Sequence, residues 1–149
     1  MAALVMAHFI GAVALAPVAR RFGSRAFLPG GLLPLATFVW AIARIPSLGA
    51  GETSTQSVSW VPSLGLELTF RLDGLGALMA MIIGGIGALV FWYAAWYFAD
   101  SRSAGTVAPL LLAFAGAMLG LVLADSILLL FVFWELTSVI SFLLIGTDD

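Results

Sequence analysis

Five apolar runs, at roughly residues 2–19, 27–45, 74–98, 107–123 and 126–146, dominate this chain and hold only two formally charged residues, Arg44 and Glu135. Each run is close to the roughly 20 residues a helix needs to cross the hydrocarbon of a bilayer. Soluble domains are about half apolar and a quarter charged. Here 62% of the 149 residues are hydrophobic and 9% are charged, with a mean hydropathy of +1.14. A water-soluble core of this length cannot enclose so much apolar surface. The expected fold is all-α and integral to the membrane: one domain over 1–149 with five transmembrane helices.

The charges between the runs set an expected orientation. Arg20, Arg21, Arg25 and Arg102 follow the first and third runs, and Arg44 and Arg71 belong to the other side. The positive-inside bias then places the N-terminus outside and the C-terminus in the cytoplasm of a multi-pass protein in the cell membrane. At the start of the chain, Ala14-Leu-Ala16 mimics a signal-peptidase site, but Pro17 follows at once and the arginines come after the apolar run. A cleavable leader carries its positive charge first, so a retained first span is expected. With a net charge of −2 and no basic patch, nucleic acid is not an expected partner. The absence of cysteine excludes disulfides and Cys-ligated metal centres. No cofactor, metal or hydrolytic constellation is expected, and an enzyme is not.

The one long polar stretch is 46–73. Within it Leu66, Leu68, Phe70 and Leu72 alternate with Glu67, Thr69, Arg71 and Asp73, and Val58 alternates with Trp60 before the turn residues Pro62-Ser-Leu-Gly65. That period of two predicts an extracytoplasmic β-hairpin over about 58–72, lying on the helices. Asp73 then stands at the N-cap of the third helix, and Asp125 at that of the fifth. Gly76, Ala80, Gly84 and Ala88 in the third run, and Gly116, Gly120 and Ala124 in the fourth, form small-residue stripes that allow close helix packing. Phe91-Trp-Tyr93 and Trp96-Tyr-Phe98, just before Asp100 and Arg102, read as an interfacial aromatic belt. Arg44 is expected to snorkel to the interface.

The residue that raises a functional question is Glu135, near the middle of the fifth run. An ionised carboxylate at that depth costs about 3 kcal/mol even on insertion scales. Either it is protonated in apolar surroundings, or a cation on a neighbouring helix holds it charged. In both cases its proton binding responds to what its neighbours do, which is the requirement for a relay. Ser138 is one turn along the same face, with Thr137 and Ser141 close in sequence. Their hydroxyls either donate to the carboxylate, directly or through water, or bond back to their own helix carbonyls. His8, the only histidine, is read as a packed, neutral core residue in preference to a relay.

Four segments carry a resemblance. Trp60-Val-Pro-Ser-Leu-Gly65, Leu72-Asp-Gly-Leu75, Gly116-Ala-Met-Leu-Gly-Leu-Val-Leu-Ala-Asp-Ser126 and Phe133-Trp-Glu-Leu-Thr-Ser-Val-Ile-Ser-Phe-Leu-Leu-Ile-Gly146 resemble the start of the A-type subunit of Mrp-type multisubunit Na⁺/H⁺ antiporters. Those A-type proteins are in turn similar to the antiporter-like membrane subunits of respiratory complex I. Trp134-Glu-Leu136 favours the Mrp branch, since complex I relatives tend to carry Trp-Glu-Gly there. The resemblance implies a partial antiporter-like fold and gives Glu135 a role in proton transfer, facing a lysine on a later, broken helix. This chain has no lysine, so the partner is expected from the remainder of the A-type subunit or from a companion subunit. The implied function is that of a component of a sodium/proton exchanger in pH and salt homeostasis, not expected to transport alone. A proton-pumping subunit of complex I and a purely structural helix scaffold remain as alternatives.

Overall fold

A computed structural model describes residues 1–61, 66–99, 101 and 103–147. The expected turn at Pro62–Gly65, the side chain of Trp60, Asp100 and Arg102 lie outside the described residues. Among the described residues, four helical stretches are long and apolar enough to cross a membrane: Ala2–Gly49, Gly74–Tyr97, Ala104–Leu123 and Ile127–Ile145. The first runs for 48 residues, about 72 Å if straight, more than twice the hydrocarbon thickness. It is not straight. Helix α1 (Ala2–Phe22) ends at a 3₁₀ turn, Gly23–Ala26, and a single helical turn, α2 (Phe27–Gly30), leads into α3 (Leu32–Gly49). Gly23 has φ 58°, a left-handed conformation that L side chains rarely adopt, so the reversal starts at a glycine.

The two arms lie side by side. His8 meets Thr37, Gly11 lies against Leu33, and Gly30 lies against Leu15. Helix α5 (Ala104–Leu123) packs against α1, α4 (Gly74–Tyr97) and α6 (Ile127–Ile145), while α3 packs along α4. Half of the span in α5 is buried against 17% of that in α6, which puts α5 at the centre and α6 at the edge. Small residues make these contacts possible. Gly76, Ala80, Gly84 and Ala88 are all buried. A Cβ on Gly116 would stand 2.7 Å from His8 Cβ, and one on Gly120 would enter the Phe133 ring.

The hairpin is present and starts earlier than expected. Strand β1 (Ser54–Val61) pairs antiparallel with β2 (Leu66–Leu72), Ser54 opposite Leu72 and Val58 opposite Leu68, with an irregularity between Ser59 and Val61. Residues 54–57 are polar and carry no alternation, so pairing with β2, and not hydrophobic period, makes them a strand. Phe70 and Leu72 are buried among the helices while Glu67 and Arg71 are exposed. Both strands of the hairpin are tied down by hydrogen bonds. Asp125 N–H donates to Thr69 O at 2.9 Å, Phe70 bridges Ala124, and Gln56 Oε1 accepts from the Met1 amino group at 2.9 Å and from Ala2 N–H at 3.1 Å.

Two cap assignments separate here. Asp73 caps α4, its Oδ1 accepting from Gly76 N–H at 2.8 Å. Asp73→Ala is expected to cost about 1 kcal/mol and Asp73→Asn much less, read as a shift in the reversible unfolding midpoint in mixed micelles; equal midpoints for Ala and wild type would contradict the cap. Asp125 does not cap α6. Ser126 does, accepting from Leu129 N–H at 3.2 Å, because Asp125 is held by Thr69 and lies 3.8 Å from Arg71 Nη1. The aromatic belt also divides. Tyr93, Trp96 and Tyr97 are exposed, but Phe91 is 1% exposed and packs on Phe27 at 5.9 Å between ring centroids, a core residue and not an anchor. Arg44 lies over the Trp40 ring at 5.8 Å.

Candidate functional site

Helix α6 is attached by one stripe. Leu129, Phe133 and Ile140, at helical spacing, are its buried residues and face α5; Phe133 also stacks near Phe9 and meets the Phe70 ring at a tilt. Glu135 follows Phe133 by two positions, roughly 200° around the helix, and is therefore on the far face. It is exposed, as are Leu128, Phe131, Ser138 and Phe142 on the same side. As the ninth of nineteen residues from Ile127 to Ile145, it lies at mid-helix. The burial expected for this carboxylate is not supplied by the chain's own helices, because α6 packs chiefly on α5 and, through Phe133, touches Phe9 and Phe70, all on the side opposite Glu135. Among the described residues no hydrogen bond or ion pair reaches Glu135.

The neighbouring hydroxyls resolve toward the helix. Thr137 Oγ1 donates to Trp134 O at 2.6 Å and Ser138 Oγ donates to the same carbonyl at 3.2 Å. Neither hydrogen is pointed at Glu135, which is the usual back-bonding of hydroxyls on apolar helices. Ser141 is half-buried, and among the described residues its hydroxyl has no partner. The site thus consists of a carboxylate with two free oxygens on an apolar, unpartnered helix face. Such a group can accept a proton or a charge-assisted hydrogen bond from a cation brought against it. Among the described residues no group of three metal-ligating side chains occurs.

His8 is 1% exposed, its Nδ1 2.9 Å from Leu4 O and its Nε2 3.5 Å from Thr37 Oγ1. Thr37 escaped the sequence reading. A threonine in an apolar run carries no local signal of which helix will face it. Near the hairpin, Arg71 stands between Asp73 and Asp125 at 4.0 and 3.8 Å; these half-exposed pairs contribute little by themselves.

Residues 59–105 match the family described as NADH-ubiquinone oxidoreductase (complex I), chain 5 N-terminus. Over 132 residues, 87% of the chain, the sequence is 40% identical to the A1 subunit of the Na⁺/H⁺ antiporter of Staphylococcus aureus strains JH9 and Newman. The structure of the Mrp complex from Dietzia sp. DQ12-45-1b superposes with a TM-score of 0.83 and 34% identity over 99% of the chain. The chain is homologous to the A-type subunits of Mrp-type Na⁺/H⁺ antiporters. It spans 16% of the length of the Staphylococcus protein and 16% of the Dietzia chain. Because the superposition takes in 99% of the residues, it extends beyond the complex I match and through α6, the helix that carries Glu135. With its apolar helical stretches, this antiporter-related chain is a multi-pass membrane protein.

Proposed function

We propose that this chain acts as the leading portion of the A-type subunit of an Mrp-type antiporter, one membrane unit that contributes Glu135 to the proton path of a sodium/proton exchanger. The observation that carries the reading is the placement of Glu135 at mid-helix on a face no described helix covers, in a chain homologous over most of its length to such subunits. A carboxylate there needs a partner, and the remainder of the A-type protein or a companion subunit supplies it as a lysine. At an effective dielectric near 20 and about 4 Å, the pair attracts by roughly 4 kcal/mol. Moving the lysine away favours proton uptake by Glu135, and its return favours release. Ser138, Thr137 and Ser141 play a supporting part, the first two through rotation away from the Trp134 carbonyl. The chain by itself does not exchange ions, since it lacks the cation. The test is sodium-driven proton movement in vesicles carrying the assembled antiporter, where a Glu135→Gln variant equal to wild type removes the relay.

In this reading α1 and α3 each cross the bilayer, giving five crossings, with the N-terminus and hairpin outside and the C-terminus inside. Arg20, Arg21 and Arg25 at one end of the bundle support that orientation against Arg44 and Arg71 at the other. Cysteines introduced at Ser24 and Thr55 should label from opposite faces of sealed vesicles; labelling of both from one face would refute the arrangement. The match over residues 59–105 supports a second reading, a proton-pumping subunit of complex I. Copurification with quinone- and NADH-oxidising subunits would select it.

A further inference from the structure

Among the described residues, the buried polar side chains are His8 and Thr37, at 1% and 0% exposure. They face each other where α1, α3 and α5 meet, with Gly116 of α5 closing against His8 Cβ. The hydrogens across this contact can be counted. Leu4 O, 2.9 Å from His8 Nδ1, is a carbonyl and only accepts, so Nδ1 carries the hydrogen. In the neutral ring Nε2 is then a bare acceptor, aimed at Thr37 Oγ1 across 3.5 Å, the outer limit of a hydrogen bond. Thr37 has one hydroxyl hydrogen, and Leu33 O, at 3.1 Å, competes for it. Two acceptors share one donor. The cluster is one hydrogen short.

We propose that His8 Nε2 and Thr37 Oγ1 form a proton-binding site at the seam between α1 and α3. A proton added to the Nε2 lone pair completes the chain: Nε2–H donates to Thr37 Oγ1, whose hydroxyl donates to Leu33 O, while Nδ1–H stays on Leu4 O. Release returns the hydroxyl to its choice between Leu33 O and Nε2. No bond other than N–H forms or breaks. The ionisable groups on the packed elements all stand away from the ring. On α1 they are the Met1 amino group, Arg20 and Arg21, and on α3 Arg44, two helical turns beyond Thr37. Helix α5 carries none, and α6, which touches α1 through Phe9 and Phe133, carries Glu135. With no carboxylate at hand, the added charge is held by hydrogen bonds alone, and Thr37 is the one that can be removed without touching the ring.

Because His8 is the only histidine, the 149-residue chain grown on ¹⁵N-histidine and placed in lipid nanodiscs gives one pair of imidazole nitrogen signals. The expected spectrum has Nδ1 protonated and Nε2 bare in the neutral form, the reverse of the tautomer favoured in water. On acidification across the range in which the chain stays folded, Nε2 takes up the proton. Thr37→Val lowers the doubly protonated fraction at a given pH roughly threefold or more, and Thr37→Ser, which keeps the hydroxyl, leaves it near wild type. The wild-type tautomer needs no variant, so a misfolded Thr37→Val leaves the proposal testable. A neutral ring protonated at Nε2, a ring that stays neutral throughout that range, or a Thr37→Val titration identical to wild type overturns it.

Discussion

Replacing Glu135 by glutamine in the assembled antiporter is expected to abolish sodium-coupled proton movement, a loss on the order of a hundredfold, while assembly of the complex is unchanged. The amide keeps the shape and the hydrogen-bonding capacity of the carboxyl but cannot exchange a proton. Glu135→Asp keeps the acid and withdraws it by one methylene, so partial activity is expected. Glu135→Ala should fail like Gln. It should also cost the chain's own packing little, because Glu135 is on the open face of α6 and not among Leu129, Phe133 and Ile140 against α5. The ordering Asp above Gln is the discriminating result. A docking residue would tolerate the isosteric amide better than the shorter acid, and vesicles in which Gln exceeds Asp would assign Glu135 to docking.

Gly84→Ala is expected to produce the largest loss of stability of any single methyl addition in the chain's helices. A Cβ at that position would stand 2.6 Å from Phe38 N and 2.7 Å from Pro34 O. Both are backbone atoms of α3, so no side-chain tip can swing aside and the two helices must part. Overpacking of this kind costs about 1–3 kcal/mol, and a backbone clash belongs at the upper end. Gly49→Ala is the control: nothing lies within 4 Å of its Cβ position, and the gain in helix propensity favours it by roughly 0.5 kcal/mol. Reversible unfolding in mixed micelles reads both. A Gly84→Ala chain as stable as wild type would mean that α3 and α4 do not approach as closely as described.

These two residues also mark what could be read from the chain before its fold. The small-residue stripe of α4 was legible because packing in lipid selects for size at a spacing of four, and Gly84 is where that spacing meets α3. Which helix would fill the groove was not legible, since the stripe says nothing of the backbone across from it. Glu135 was legible as an expensive residue at mid-span. Its exposure within this chain was not legible, because it depends on which face of α6 turns toward α5, a tertiary fact. The cap at Asp73 followed from local chemistry. The cap at Asp125 did not, because the backbone of Thr69, distant in sequence, holds that residue and leaves Ser126 to do the capping. In the hairpin, alternation found β2 and missed the first half of β1, whose polar residues are strand only through their partners.

The hairpin holds four helices at one end of the bundle: α1 through Gln56, α4 by direct continuation of β2 into its Asp73 cap, and the joint of α5 with α6 through Thr69 and Phe70. Helices gripped at one end behave like the ribs of a fan. A rigid tilt of one helix that keeps those bonds pivots at the hairpin and sweeps widest at the opposite end, where Arg20, Arg21 and Arg25 stand and where the tilt must slide past the packing around Phe27 and Phe91. For α4, with 24 residues, a 5° tilt moves the far tip by roughly 3 Å, and mid-helix positions by half as much. A carboxylate at the depth of Glu135 would then travel only an ångström or two, the distance between touching a fixed partner and losing it.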